Sequence, residues 1–377
     1  MYRSRKPEGS QGPRGFESLP LRHSLATPNR QFGTIPRMLA LPSNRRLLLT
    51  ARPTGIPGPA NFSSDAVPAR TPAAGEVLLE TRYLSLDPAM RSWMSEGTSY
   101  KQGIPLGEPM MGGGIARVID SRADGFVPGD MVQARLGWQT HPTIAARFLQ
   151  KLDLSLGTAE DWIGPLGLSA VTAYFGLRDI GGMRPNDRVL VSAAAGGVGQ
   201  IAVQIARIEG CRIVGIAGGA DKCAYVTNDL GAHAAIDYKA CSTGADLEAA
   251  IGRACPGGID LYFDNVGGAT LDAALAHLRH GARVVLCGRI SQTHAAERYG
   301  IRNLDKLASA RGRMQGFLVF NYHDRYDEAR AWLAARLRDG SLRQRLHVLE
   351  GLDQAPIGLG MLFRGENTGK LVVRVEA

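Results

Sequence analysis

Apolar residues fall along this chain in two different rhythms. From Leu47 to about residue 160 they come as short runs separated by proline and glycine: Leu47-Leu-Leu-Thr, Glu76-Val-Leu-Leu-Glu-Thr, Gly114-Ile-Ala-Arg-Val-Ile-Asp and Asp130-Met-Val-Gln-Ala. Runs of this kind predict a small, irregular β domain. From Arg188 onward, strands that are apolar throughout alternate with helical patterns. The strands read at Arg188-Val-Leu-Val-Ser-Ala, Cys211-Arg-Ile-Val-Gly-Ile-Ala, Ala235-Ile-Asp, Ile259-Asp-Leu-Tyr-Phe-Asp, Arg283-Val-Val-Leu-Cys and Gly316-Phe-Leu-Val-Phe. Val198, Ile201, Ala202, Ile205 and Ile208 recur at steps of three and four, which marks a helix. A second helix is expected over Asp327–Leu337, with Ala329, Trp332, Leu333 and Leu337 inward. Strands without a polar face, alternating with helices, predict an α/β fold with a doubly wound parallel sheet covered on both sides. The last run, Lys370-Leu-Val-Val-Arg-Val, is expected to return to the first domain.

Composition narrows this picture. At 377 residues, 44% hydrophobic and 21% charged, the chain suits two domains with a real core and excludes a collagen-like or disulfide-scaffold protein. No window carries the roughly 18 uncharged apolar residues of a membrane span. The net charge of +9 is concentrated: residues 1–37 hold seven basic and two acidic residues, leaving 37 against 33 for the rest, with no basic run. A nucleic-acid partner is therefore not expected. Residues 1–37 are rich in Arg, Pro, Gly and Ser and lack apolar periodicity, so they read as a disordered extension ahead of a start at Met38. The five cysteines (Cys211, Cys223, Cys241, Cys255, Cys287) are odd in number, widely spaced and free of CxxC pairs. They suit a reducing, cytoplasmic compartment and exclude a four-cysteine zinc site.

The strongest chemical signal is Ala193-Ala-Ala-Gly196-Gly197-Val198-Gly199, at the turn between the first strand and first helix of the α/β half. Only small residues let the backbone turn tightly there and approach a pyrophosphate, whose charge the helix N-terminus favours. The second strand ends Ile216-Ala-Gly-Gly without the carboxylate that usually meets the ribose of NAD, and Lys222 follows close by. This favours NADPH over NADH, with Asp221 as a discordant neighbour. Asn265, in Asp264-Asn-Val-Gly-Gly, sits at the carboxyl end of another strand, on the ligand side. It reads either as a cofactor-binding amide or as a plain turn residue. Cys287-Gly288 occupies the equivalent place one strand on, where the cysteine reads as a small buried residue.

These motifs, together with Tyr83-Leu-Ser-Leu-Asp-Pro-Ala-Met-Arg, Gly137-Trp138, Gly167-Leu-Ser-Ala-Val-Thr-Ala-Tyr, Gln315-Gly-Phe-Leu-Val and Gly365-Glu-Asn-Thr-Gly-Lys, resemble those of the zinc-independent medium-chain dehydrogenase/reductases. Within that family the likeness is to the prostaglandin, alkenal double-bond and curcumin reductases. The resemblance implies a GroES-like domain over 38–160, completed by 344–377, and a Rossmann NADP-binding domain over 161–343. It implies that Gly196, Gly197, Val198 and Gly199 bind the pyrophosphate and that Lys222 and Tyr238 bind the 2′-phosphate. Asn265, Cys287, Gly288, Thr293, Phe317, Leu318, Val319 and Asn367 would line the rest of the cofactor. It also implies a homodimer, no metal, and a small-molecule enone as substrate.

The implied reaction is conjugate reduction, in which charge develops on the substrate's carbonyl oxygen and one or two hydrogen-bond donors stabilise it. Ala89, Met90 and Thr293 would line the substrate, and two of these mark a departure: the family often has tyrosines where Ala89 and Thr293 stand. Tyr100 is the replacement donor candidate. The alternatives are a quinone reductase of the same superfamily and an NADPH-binding protein without catalysis.

Overall fold

The computed structural model describes residues 41–96, 102–295 and 297–375. Tyr100 and the segment 1–37 lie outside the described residues. Seven strands come first: β1 (Ser43–Leu49), β2 (Phe62–Pro68), β3 (Glu76–Ser85), β4 (Gly113–Ser121), β5 (Met131–Arg135), β6 (Thr143–Ala145) and β7 (Gln150–Lys151). Six follow with helices between them: β8 (Arg188–Ser192), β9 (Arg212–Ala217), β10 (Ala234–Asp237), β11 (Ile259–Asp264), β12 (Leu278–Leu286) and β13 (Arg313–Gly316). Two close the described chain, β14 (Leu346–Glu350) and β15 (Lys370–Arg374).

The six middle strands form one sheet, in the order β10-β9-β8-β11-β12-β13, and every pairing is parallel. Counted within this sheet, the order is 3-2-1-4-5-6, that of a doubly wound dinucleotide-binding fold. Alternate side chains feed two cores. Val189, Val191, Leu261 and Phe263 pack on one face, and Leu190, Val214, Ile216 and Tyr262 on the other. Burial on both faces is why these strands read as apolar throughout. The strand order reverses between β8 and β11, so the crevice for a ligand opens at their carboxyl ends.

The other large sheet has the order β14-β15-β3-β4-β5-β7, with β6 also on β3. β15 pairs antiparallel with β3 and parallel with β14, so the last strand lies beside the third. β1 and β2 form a separate antiparallel pair whose Leu47 and Leu49 join the core of this half, with Leu79, Val118, Val132 and Trp138.

The helix Gly199–Ile208 buries the anticipated stripe of Ile201, Ala202 and Ile205, and it also buries two glutamines. Gln200 Oε1 accepts from the Arg345 amide (3.0 Å) and the Tyr225 hydroxyl (2.7 Å). Gln204 Oε1 accepts from the Arg343 amide (2.8 Å), and its Nε2 donates to the Arg343 carbonyl (2.7 Å). The pair holds the chain as it leaves this half for β14. One strand differs from the expectation at Gly316–Phe320. The strand runs Arg313–Gly316, and Val319–Arg325 forms 3-10 turns. β13 is an edge strand with Arg313 and Gln315 exposed, so its polar residues concealed it, while Phe317 in the following loop and Val319 in the first 3-10 turn pack against the core.

Candidate functional site

The turn after β8 is built by close backbone approach. Ala193 takes a left-handed φ of +48°, and the Gly196 amide donates back to its carbonyl at 2.9 Å. A Cβ on Gly199 would lie 2.2 Å from that same carbonyl oxygen and 2.8 Å from Ala194 Cα, so only glycine fits. The Gly197 amide faces the Gly369 carbonyl in an isolated parallel bridge, while among the described residues the amides of Val198 and Gly199 have no acceptor. These are the free donors of a helix N-terminus, gathered at a switch point, and they can hold an anion.

A second anion-compatible feature lies beyond β9. Lys222 is half-buried and its ammonium donates to the Gly365 carbonyl at 2.7 Å. Burial, helped by the neighbouring charge of Lys239 and opposed by Glu366, holds its pKa below the ordinary lysine value. Cations that lower one another's affinity for protons are relieved by a nearby anion. The Tyr238 ring lies over Gly218, whose Cβ position would be 2.7 Å from Tyr238 Cε1. The acid nearest the end of β9 is Asp237, and its Oδ1 already accepts from the amides of Gly219 (2.7 Å) and Lys239 (2.9 Å). Lys239 escaped the sequence reading because it looks like ordinary surface charge until β10 pairs with β9.

At the carboxyl ends of β8 and β11, polar groups satisfy one another instead. Asn265 Nδ2 donates to the Ser192 carbonyl (2.7 Å), and its amide donates to Ser192 Oγ (2.9 Å). The buried Asp264 carboxylate accepts from Tyr262 Oη (2.7 Å), Ser192 Oγ (3.0 Å), and the amides of Val266 (3.0 Å) and Gly267 (3.1 Å). Burial raises its pKa above the ordinary value, although all four donors favour the charged form. The loop after β12 packs on this turn: Ile290 and Ser291 donate their amides to Asn265 and Val266. The Thr293 hydroxyl donates to the Ile290 carbonyl at 2.9 Å. Burial pushes the Cys287 thiol up to about 12, so at neutral pH it is not a nucleophile.

This geometry has close relatives. The profile for the N-terminal domain of oxidoreductase matches residues 45–152, and that for zinc-binding dehydrogenase matches residues 197–335. The chain is 40% identical over 336 residues to the putative NADP-dependent oxidoreductase YfmJ of Bacillus subtilis, covering 88% of this chain and 98% of that one. It is 38% identical over 338 residues to the NADPH-dependent curcumin reductase of Escherichia coli, covering 88% and 97%. This chain belongs to the zinc-independent medium-chain dehydrogenase/reductases. Among solved structures, CurA from Vibrio vulnificus in complex with NADPH superposes with a TM-score of 0.82 at 38% identity, over 88% of this chain and 99% of that one.

The remaining expected residues of this medium-chain reductase fall in different surroundings. Ala89 is partly exposed at the head of the helix Met90–Trp93. Met90 was expected to line the substrate, but it is fully buried in the core of the β half, near Gly112 and Trp138. Leu318 is exposed, Phe317 packs at Gly176, and Asn367 is buried with its Nδ2 donating to the Gly369 carbonyl (2.8 Å). Among the described residues, no group of three or more His, Cys, Asp or Glu side chains is arranged to hold a metal ion. Nor is any described helix long and apolar enough to cross a membrane.

Proposed function

We propose that this protein is an NADPH-dependent reductase of the C=C bond in α,β-unsaturated ketones or aldehydes. The observation that carries the cofactor is the pairing of two unpartnered amides, Val198 and Gly199, with the Lys222–Lys239–Tyr238 cluster. The first suits a pyrophosphate and the second a 2′-phosphate. The substrate class follows the relatives named for curcumin and 2-alkenal reduction. The 2-alkenal reductase (NADP(+)-dependent) of Nicotiana tabacum is 36% identical over 342 residues, covering 88% of this chain and 98% of that one.

Bound NADPH would supply the hydride that reaches the substrate's β-carbon. The chain's own residues bind, orient and donate. Gly196–Gly199 hold the phosphates through backbone amides. Asn265 and Asn367 have side-chain oxygens left over to face the cofactor, and Gly288 keeps its backbone close to Asn265. Phe317–Val319 close one side. Charge on the substrate carbonyl oxygen needs a donor, and Tyr100 Oη is assigned that role, because the Thr293 hydroxyl is already given to Ile290. The α-carbon then takes its proton from solvent. A homodimer fits the exposed β13 edge, whose unpaired backbone invites a second copy; light scattering on the purified protein tests this.

The deciding experiment follows NADPH oxidation at 340 nm with a panel of enones, the matching saturated ketones and a quinone. Turnover on the enones alone, with a saturated C=C product, supports the reading. Turnover on the quinone alone replaces it with a quinone reductase, and NADPH binding without turnover replaces it with a non-catalytic binder.

A further inference from the structure

The segment after β3, Leu86–Met90, and the loop after β8, Ala193–Gly199, belong to different sheets, yet one side chain reaches both. Lys370 opens β15 with its side chain 5% exposed. Its methylenes cross the face of Gly197, where a Cβ would lie 3.0 Å from Lys370 Cδ. The residue before it, Gly369, donates its amide to the Ala195 carbonyl at 2.7 Å. At the far end, the ammonium donates to the Leu86 carbonyl (2.9 Å) and to Asp87 Oδ1 (2.7 Å). Ser85 Oγ donates to the other Asp87 oxygen at 2.6 Å.

A buried lysine needs such partners. Once taken out of water, an ammonium left unpaired is strongly unfavourable, so the ion pair resists being pulled apart. A displacement of the phosphate loop therefore moves Lys370, and with it the carbonyl and carboxylate that begin the helix Met90–Trp93. Nothing else described at this junction makes a charged contact from the strand beside the loop to the start of that helix.

We propose that the Lys370–Asp87 pair is a positioning device that couples occupancy of the Ala193–Gly199 loop to the placement of Leu86–Met90, the segment that carries the partly exposed Ala89 expected at the substrate. This rests on the reading that the loop holds the phosphates of NADPH. The pair itself touches neither reacting carbon, so both residues act by positioning.

Amide hydrogen exchange on the full chain, with and without saturating NADPH, tests the coupling. In the unaltered protein, NADPH is expected to slow exchange about tenfold or more both at 193–199 and at 86–93. In Lys370→Met, NADPH should still protect 193–199, while 86–93 changes by less than about twofold. Lys370→Arg should restore the response, and Asp87→Asn should lose it, which covers the case in which Lys370→Met fails to fold. In the same variants the KM for an enone should rise more than the directly measured Kd for NADPH. Full protection of 86–93 in Lys370→Met, or protection of 193–199 without any at 86–93 in the unaltered protein, overturns the coupling alone. Failure of NADPH to protect either segment overturns the cofactor reading and the coupling with it.

Discussion

The two ends of the crevice treat their polar groups in opposite ways. Beside β8 and β9, donors are left open: among the described residues the amides of Val198 and Gly199 lack acceptors, and Lys222, with one bond to the Gly365 carbonyl, lies within the influence of the Lys239 charge. Beside β11 and β12, the groups are already committed, with Asp264 accepting four hydrogen bonds, Asn265 tied to Ser192, and the Thr293 hydroxyl given to Ile290. The first end is built to receive charge. At the second, the polar groups satisfy one another. On the reading proposed above, binding energy would be concentrated at the first end and the chemistry would depend on the few groups brought to the second.

The largest effect expected from this division is at the reactive end. Tyr100→Phe should lower kcat for an enone about 100–1000-fold, the usual cost of losing one donor to a developing oxyanion. Stopped-flow hydride transfer reads this, and the Kd for NADPH should not move. A variant of unchanged kcat removes Tyr100 from the reaction. At the receiving end, Gly199→Val drives a side chain into the Ala193 carbonyl. NADPH binding by fluorescence titration should weaken about 100-fold, or about 2.7 kcal/mol. Binding within a factor of a few of the unaltered protein would mean that the loop is not the phosphate cradle.

Lys222→Ala is a milder change and discriminates better. Loss of a charged hydrogen bond should weaken NADPH about 10–100-fold, while NADH, which lacks the 2′-phosphate, should bind almost as before. Equal losses for both cofactors would remove the 2′-phosphate assignment. The smallest effect is in pH. The Lys222 pKa is held down by burial and by Lys239, so its ammonium loses its proton at a lower pH than a solvated lysine would. The preference for NADPH over NADH should therefore decline as pH rises toward the ordinary lysine range, and Lys222→Ala should flatten that decline.

Much of this was legible in the chain before any coordinates. The parallel sheet announced itself because strands buried on both faces have no polar face to alternate with, and the glycine loop did so because its spacing follows from backbone contact. What stayed hidden depends on tertiary neighbours. Lys239 becomes part of a charge cluster only when β10 lies beside β9. Gln200 and Gln204 lie outside the apolar stripe, and they are buried because the 343–345 segment supplies their partners. β13 was displaced in the reading because an edge strand carries polar residues while the apolar run after it packs as a loop and a 3-10 turn. The partners of Thr293 and Asn265 are backbone carbonyls, which no side-chain motif records.

The placement of β15 has a consequence for how the molecule is made. Ser85 pairs with Val372, so the β15 neighbour of β3 arrives only after the whole of the parallel sheet has been synthesised. At ribosomal rates of about 5–20 residues per second, β3 leaves the ribosome roughly 15–60 s before its partner. During that interval the 83–85 end of one edge of β3 is open, β6 covering only its start, and the parallel sheet can close first. Birth order and assembly order are thus reversed: the half that emerges first is finished last.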